Sequence, residues 1–331
     1  MSRLLRVELD RFASRTLIRL GVVAVLVICC LGLVNAWQSA SPPSQAELAQ
    51  AQAYYEQALA DWEVNGEQWV ADCEAGEAAE KEASDTPDAV DYGCDSMEPR
   101  LENWTGSEPS FERDTAGLLT SLAVLFVMAP LLLAGSFVSA EFSTGAIGNW
   151  LTFAPQRVRV YLSKVLAAGI AIVPVAVVGV GVVLGGSWAA YRYFDVVDSG
   201  AVAGVSPPVD VAVRLVALAP VVAMVGAAVG FLVRHTAAVL GVVLGWLILV
   251  EVMLTNRIQG LQPWTMLLNI TAWVEGGTSY SSQTCTTTAS GQSCEVVTHV
   301  VSQTQGAIYL GVVTVIVAGV ALLVFRRRDV A

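Results

Sequence analysis

Long apolar runs alternate with polar segments along the chain, and six of these runs reach the roughly 20 residues that a bilayer span needs. They cover 17–37, 115–138, 165–190, 215–233, 236–254 and 306–325. The pattern predicts an all-α integral membrane protein with six transmembrane helices, both termini on one side. Before the first run, Leu5, Leu9 and Phe12 follow i, i+4, i+7 spacing with arginines on the other flank. Residues 2–16 are therefore expected to form an amphipathic helix lying on the membrane surface. The uncharged stretch Leu20–Trp37 is too long for the apolar region of a secretory signal, and Val34-Asn35-Ala36-Trp37 is a poor cleavage site, so this run reads as an anchor.

Two polar segments interrupt the pattern. After a Ser41-Pro42-Pro43-Ser44 turn, Leu48, Tyr55, Trp62 and Trp69 recur every seven residues, with Leu59 between them. This spacing predicts a helix with one apolar seam, within a helical extracellular insertion over 38–114. We expect a small hairpin broken near Gly66 and tied by a disulfide. Between 255 and 305, "GLQPWTMLLNITAWVEGG" is apolar but too short to cross. It reads as a re-entrant or interfacial helix, with Trp264 and Trp273 in the outer aromatic belt. A Ser/Thr-rich loop follows. The resulting segments are 1–37, the acidic insertion 38–114, spans two to five over 115–254, the segment 255–305, and the last span with its basic tail over 306–331.

Composition agrees with this reading. The chain is 55% hydrophobic and 14% charged, with mean hydropathy +0.60, against about 25% charged residues in soluble domains. Placing both termini inside puts 12 of the 18 basic residues on the cytoplasmic side, as the positive-inside rule requires. The insertion carries 19 acidic and three basic residues, most simply a solvated acidic face. Cys73, Cys94, Cys285 and Cys294 fall on the outer side, where disulfides persist. Four outer cysteines allow three pairings, of which local closure, Cys73 with Cys94 and Cys285 with Cys294, is the expected one.

Much chemistry is missing. No GxxxxGK[ST] loop, nucleophile elbow or HExxH pattern occurs, and His235 and His299 stand apart from any zinc-type cluster. The chain is expected to be no enzyme, with no cofactor or metal of its own, and no nucleic-acid binder. The span centres lack ionisable groups, which argues against a proton-coupled transporter or a channel. Glu251 falls near the outer end of span five, where it is expected to pair with Arg257 or Arg214. Small-xxx-small pairs at Gly181/Gly185, Gly226/Gly230 and Gly241/Gly245 suit close helix approach, within the chain or between copies.

The largest inner element besides the termini is the loop 139–164, and a soluble partner would have to grip it. Glu141 follows span two, and Gly145 and Gly148 permit a bend. Ile147, Trp150, Leu151 and Phe153 make an apolar patch, Pro155 ends the helix, and Arg157, Arg159 and Lys164 are expected against anionic lipid. The stretch "AEFSTGAIGNWLTFAPQRVRVYLSK" resembles the E-x-x-x-G…P-x-x-R…K segment of ABC-2 type permeases, the membrane subunits of certain ATP-binding cassette transporters. Glu141, Gly145, Pro155, Arg157 or Arg159, and Lys164 carry the resemblance. "LRVELDRFASR" and "FRRRDV" resemble that family's entry helix and basic ending, whereas its first external loop is usually short.

The resemblance implies a pathway of two permease chains, homo- or heterodimeric, above a cytoplasmic ABC ATPase dimer that binds ATP and Mg. Loop 139–164 would be the ATPase-coupling element of an exporter in a bacterial plasma membrane. The alternative is a receptor or immunity-type protein that binds a ligand through its acidic insertion without transport.

Overall fold

The computed structural model describes residues 2–83, 90–105, 108–153, 156–197, 202, 204–255, 257–258, 260–288 and 291–328, with backbone only at 2–3, 83, 151, 153, 283–288 and 291–295. It divides into two compact units, one of Met1–Ala40, Ser110–Ser282 and Val296–Ala331, the other of Ser41–Pro109 and Gln283–Glu295.

In the first unit, α1 (Ser2–Ser14) turns at Arg15 into α2 (Thr16–Ala40). The second unit opens with α3 (Gln45–Ala83) and ends near the short α4 (Glu102–Thr105). The first unit then resumes with α5 (Phe111–Ser121), α6 (Ala123–Ser143), α7 (Ala146–Phe153), α8 (Arg157–Tyr193) and α9 (Pro208–Val233). Next comes α10 (Thr236–Trp246), which continues as a π-helix over Leu247–Leu254. A short helix α11 (Met266–Glu275), strands β1 (Gly277–Thr288) and β2 (Gly291–Ser302), and α12 (Gln303–Arg327) complete the order. Among the described residues, six helical stretches are long and apolar enough to cross a membrane: Thr16–Ala40, Phe111–Ser143, Arg157–Tyr193, Pro208–Val233, Thr236–Leu254 and Gln303–Arg327.

The expected all-α architecture is thus corrected at one place, where the Ser/Thr-rich loop forms a two-stranded hairpin. Thr is the commonest residue of β1 and Val of β2, and branched side chains fit an extended backbone better than a helix. The expected Cys285–Cys294 bridge lies outside the described side chains.

Helices α6, α8 and α9 form the centre. Their close approach rests on backbone contact at glycine. A Cβ at position 226 would lie 2.1 Å from the Leu131 carbonyl oxygen, and one at 230 would lie 2.7 Å from that of Gly135. The Gly226/Gly230 pair therefore packs inside the chain. Gly181, Gly185, Gly241 and Gly245 have nothing within 4 Å of such a Cβ. The two glycine classes share a spacing and differ in what they face.

In the second unit the expected break at Gly66 does not occur, and α3 is continuous over 39 residues. One glycine costs a helix only about 1 kcal/mol, which the surrounding Ala, Glu and Gln offset, and the Trp62 ring lies against the bare Gly66 backbone. The return is a 3₁₀ turn at Cys94–Ser96, tied to α3 by the Cys73–Cys94 disulfide. At its start, the Ser44 amide donates to Glu47 Oε2 at 2.7 Å and the Glu47 amide to Ser44 Oγ at 3.2 Å, a reciprocal capping box. The Ser44 hydroxyl first, and then its amide, hold the Glu47 carboxyl below its usual value. A depressed carboxyl stabilises above its unfolded value of about 4.3 and loses that contribution as pH falls through the folded one. Protection from amide exchange at 45–48, relative to the intrinsic rate at each pH, should therefore fall on acidification below about pH 4, and Glu47→Gln should remove that pH step.

Glu251 also departs from expectation, pairing with neither Arg257 nor Arg214 among the described residues. It accepts from the Met266 amide (2.8 Å), the Leu267 amide (3.1 Å) and Trp246 Nε1 (3.1 Å). A carboxylate from the π-helix thus caps the first turn of α11, where the Thr265 hydroxyl is turned to the Gln262 carbonyl instead. Arg214 serves the other end, donating to the Val274 carbonyl at 3.2 Å, while Trp273 Nε1 donates to the Arg214 carbonyl at 3.0 Å. Charge of each sign sits at the end of α11 that it stabilises. Glu251→Ala should cost about 1–2 kcal/mol and raise amide exchange at Met266 and Leu267, leaving the centre of α9 unchanged.

Candidate functional site

The site is assembled where α1, the end of α6, α7 and the start of α8 meet. On α1, residues 5, 8, 9 and 12 share one helical face. Phe12 is buried against Phe137, with ring centroids 5.1 Å apart. Glu8 lies on that same face and is 2% exposed. Helix α6 runs on to Ser143 and carries Glu141 at 0% exposure, and α8 begins at Arg157 and carries Lys164 at 0%.

Lys164 bridges the two acids. Its ammonium donates to Glu8 Oε2 at 2.8 Å and to Glu141 Oε2. Arg15 donates to Glu141 Oε1 at 3.0 Å and to the Phe137 carbonyl at 2.9 Å, and Arg11 lies 3.6 Å from Glu141 Oε1. Three cations thus surround two carboxylates beside the Phe137 ring, 4.8 Å from the Arg15 guanidinium and 5.3 Å from the Lys164 ammonium. Burial pulls the Arg15 guanidinium below its ordinary value, and Glu141 pulls it back up.

This geometry corrects the expectation that Lys164 and Arg157 lie against lipid. Lys164 is wholly inside. Arg157 donates to the carbonyls of Phe325 (3.3 Å), Arg326 (3.2 Å) and Arg328 (2.7 Å), fastening the end of α12 to the start of α8. Tyr161, one turn on, donates to the Ala318 carbonyl at 2.7 Å. Arg159 alone of the three is exposed. The first and last helices therefore meet at the same end of the bundle.

The apolar patch is also divided. Gly145 adopts φ +70°, the left-handed bend that lets α7 fold back under α6, whereas Gly148 is an ordinary helical residue. Ile147 is 0% exposed and packs into the core with Phe12 and Phe137, so it fills no groove on another protein. Trp150 is half-buried, with the Arg11 guanidinium 5.3 Å above its ring. Asn149 and Thr152 are exposed. The side chains of Leu151 and Phe153, and Pro155 altogether, lie outside the described residues.

Glu8, Arg11 and Arg15 are the members that sequence reasoning missed, although an acid between Leu5, Leu9 and Phe12 on an apolar face is a readable anomaly. The cluster locks three elements, distant in sequence, into one block and leaves the outer face of α7 free. No cluster of three His, Cys, Asp or Glu able to hold a metal is found among the described residues. The chain matches no protein-family model, no curated protein and no solved structure.

Proposed function

We propose that this protein is the membrane-spanning permease subunit of an ABC-2 type transporter, with the end carrying both termini in the cytoplasm. In this reading it performs no bond chemistry, and a separate ABC ATPase hydrolyses ATP. Helix α7 is the coupling helix, docking through Asn149, Trp150 and Thr152, with Arg159 at the start of α8. The observation that carries the reading is the ion cluster beneath α7. A push on α7 reaches α6 through the bend at Gly145 and reaches α8 and α1 through Lys164, Glu141 and Glu8. Rigid-body tilting of packed helices is an ordinary way to convert a docked partner's movement into opening.

Two cavities within the helix bundle support a pathway between chains. One is about 10 Å³ between α2, α6 and α8, and the other about 30 Å³ between α6, α9, α11 and α12. Neither holds more than a water or two; in this reading substrate passes between this chain and a second permease chain, outward across the plasma membrane. The Cys73–Cys94 disulfide supports placing the acidic unit on the outer side.

The test is purification from the native cells in mild detergent. An ABC ATPase is expected to copurify, and Trp150→Ala to lower its retention or turnover while the thermal stability of the permease stays unchanged. No copurifying ATPase would overturn the reading.

A further inference from the structure

The second unit carries a feature that the permease reading leaves unused. Along α3, Trp62 and Trp69 lie with ring centroids 6.0 Å apart. Trp69 is 41% exposed and Leu48 37%, while Tyr55, Leu59 and Trp62 are half-buried. The return segment packs elsewhere on the helix, with Trp104 stacked on Tyr54 and Tyr92 near Gly76. From Leu48 to Trp69 the seam runs about 32 Å at 1.5 Å per residue, the length of a helix of about 21 residues.

Charge identifies what fits it. Glu56, Glu63, Glu67 and Glu74 fall within about 40° of one another at 100° per residue, forming one row beside the seam. All four are exposed, and none has a salt bridge among the described residues. Over 41–109 the sequence carries 17 acidic and two basic residues. A second copy of this unit would bring equal negative charge against the row. Exposed Glu47, Asp61 and Asp72 lie on the opposite flank, and an apolar seam bordered by acids is complementary to an amphipathic helix of opposite charge.

We propose that this face of α3 is a docking surface for a cationic amphipathic peptide or protein helix, its apolar side on Leu48, Tyr55, Trp62 and Trp69 and its Lys or Arg side on the glutamate row. The surface does not depend on the coupling role of α7.

The test uses the full chain in phosphatidylcholine nanodiscs and a fluorescent Leu/Lys helix of about 21 residues, read by anisotropy and corrected with empty nanodiscs. Saturable binding is expected that weakens about tenfold or more between about 50 mM and 500 mM salt. Glu56→Gln, Glu63→Gln, Glu67→Gln and Glu74→Gln together should weaken it about tenfold and flatten that salt dependence. Trp62→Ala with Trp69→Ala should weaken it while keeping the salt dependence. A Leu/Glu helix should not bind. Unchanged affinity in the four-glutamine variant overturns the proposal, as does binding no stronger than to empty nanodiscs. Cross-linking of Trp69→Cys between copies, with no peptide bound, would assign the face to a second copy instead.

Discussion

Lys164→Ala is expected to destabilise the protein by about 3–5 kcal/mol, the usual cost of removing one partner from a buried ion pair. The substitution leaves the Glu8 and Glu141 carboxylates, 2% and 0% exposed, without the ammonium that separates them. Glu141 keeps Arg15 at 3.0 Å, but Glu8 keeps only Arg11, at 4.0 Å. Helix α1 should therefore lose its hold first, and protease should reach it earlier in denaturant titrations of the detergent-solubilised protein. A swap separates a cluster from an isolated pair. Glu141→Lys with Lys164→Glu restores the contact between 141 and 164, yet places a lysine beside Arg11 and Arg15 and a glutamate beside Glu8. The swap should stay destabilised, whereas Glu8→Leu with Lys164→Met should recover part of the loss, because apolar replacement of a buried pair is often tolerated. Full recovery by the swap would show that the surrounding charges do not matter.

The second large effect is expected at Gly226. Overpacking a core costs about 1–3 kcal/mol when side chains can shift. Here the obstacle is the Leu131 carbonyl, only 2.1 Å from the added Cβ, and no rotamer relieves a backbone contact. Gly226→Val should therefore cost more than that range and sharply reduce the folded yield, with Gly230→Val next. Gly185→Ala and Gly241→Ala, whose added methyl groups meet nothing within 4 Å, should be close to neutral. Equal effects at all four positions would contradict the packing of α6 on α9.

The six spans were legible because a long run without charges is rarely buried anywhere but in a bilayer, and their centres match the structure to within a turn or two. Helix α8 begins at Arg157 because a basic stem of helix-forming residues extends an apolar span without a break. The hairpin at 277–302 was legible in principle, as a Thr-rich and a Val-rich run separated by two residues, but the membrane pattern around it favoured a plain loop. The ion cluster was not legible as an assembly. Glu8 and Lys164 are 156 positions apart and Glu141 and Lys164 are 23 apart, and nothing local in a sequence states that such groups meet. Surface placement is the default for a lysine flanking a span, and only the helix phase of Glu8 hinted otherwise. The Glu251 cap escaped for the same reason, since a carboxylate was expected to seek a cation and instead took backbone amides 15 and 16 positions on.

The central claim is that the outer face of α7 is where an ATPase docks, and site-specific photo-cross-linking in the native cells tests it most directly. A photoreactive residue replacing Asn149, exposed on α7, should give a single main adduct whose partner is identified by peptide mass as an ATPase with a P-loop. The same residue replacing Val64, 81% exposed on α3, should not capture it. An Asn149 adduct with an ATPase is the predicted result. The absence of an ATPase adduct at Asn149 and at neighbouring Thr152, in cells where the protein is folded and present, would contradict it.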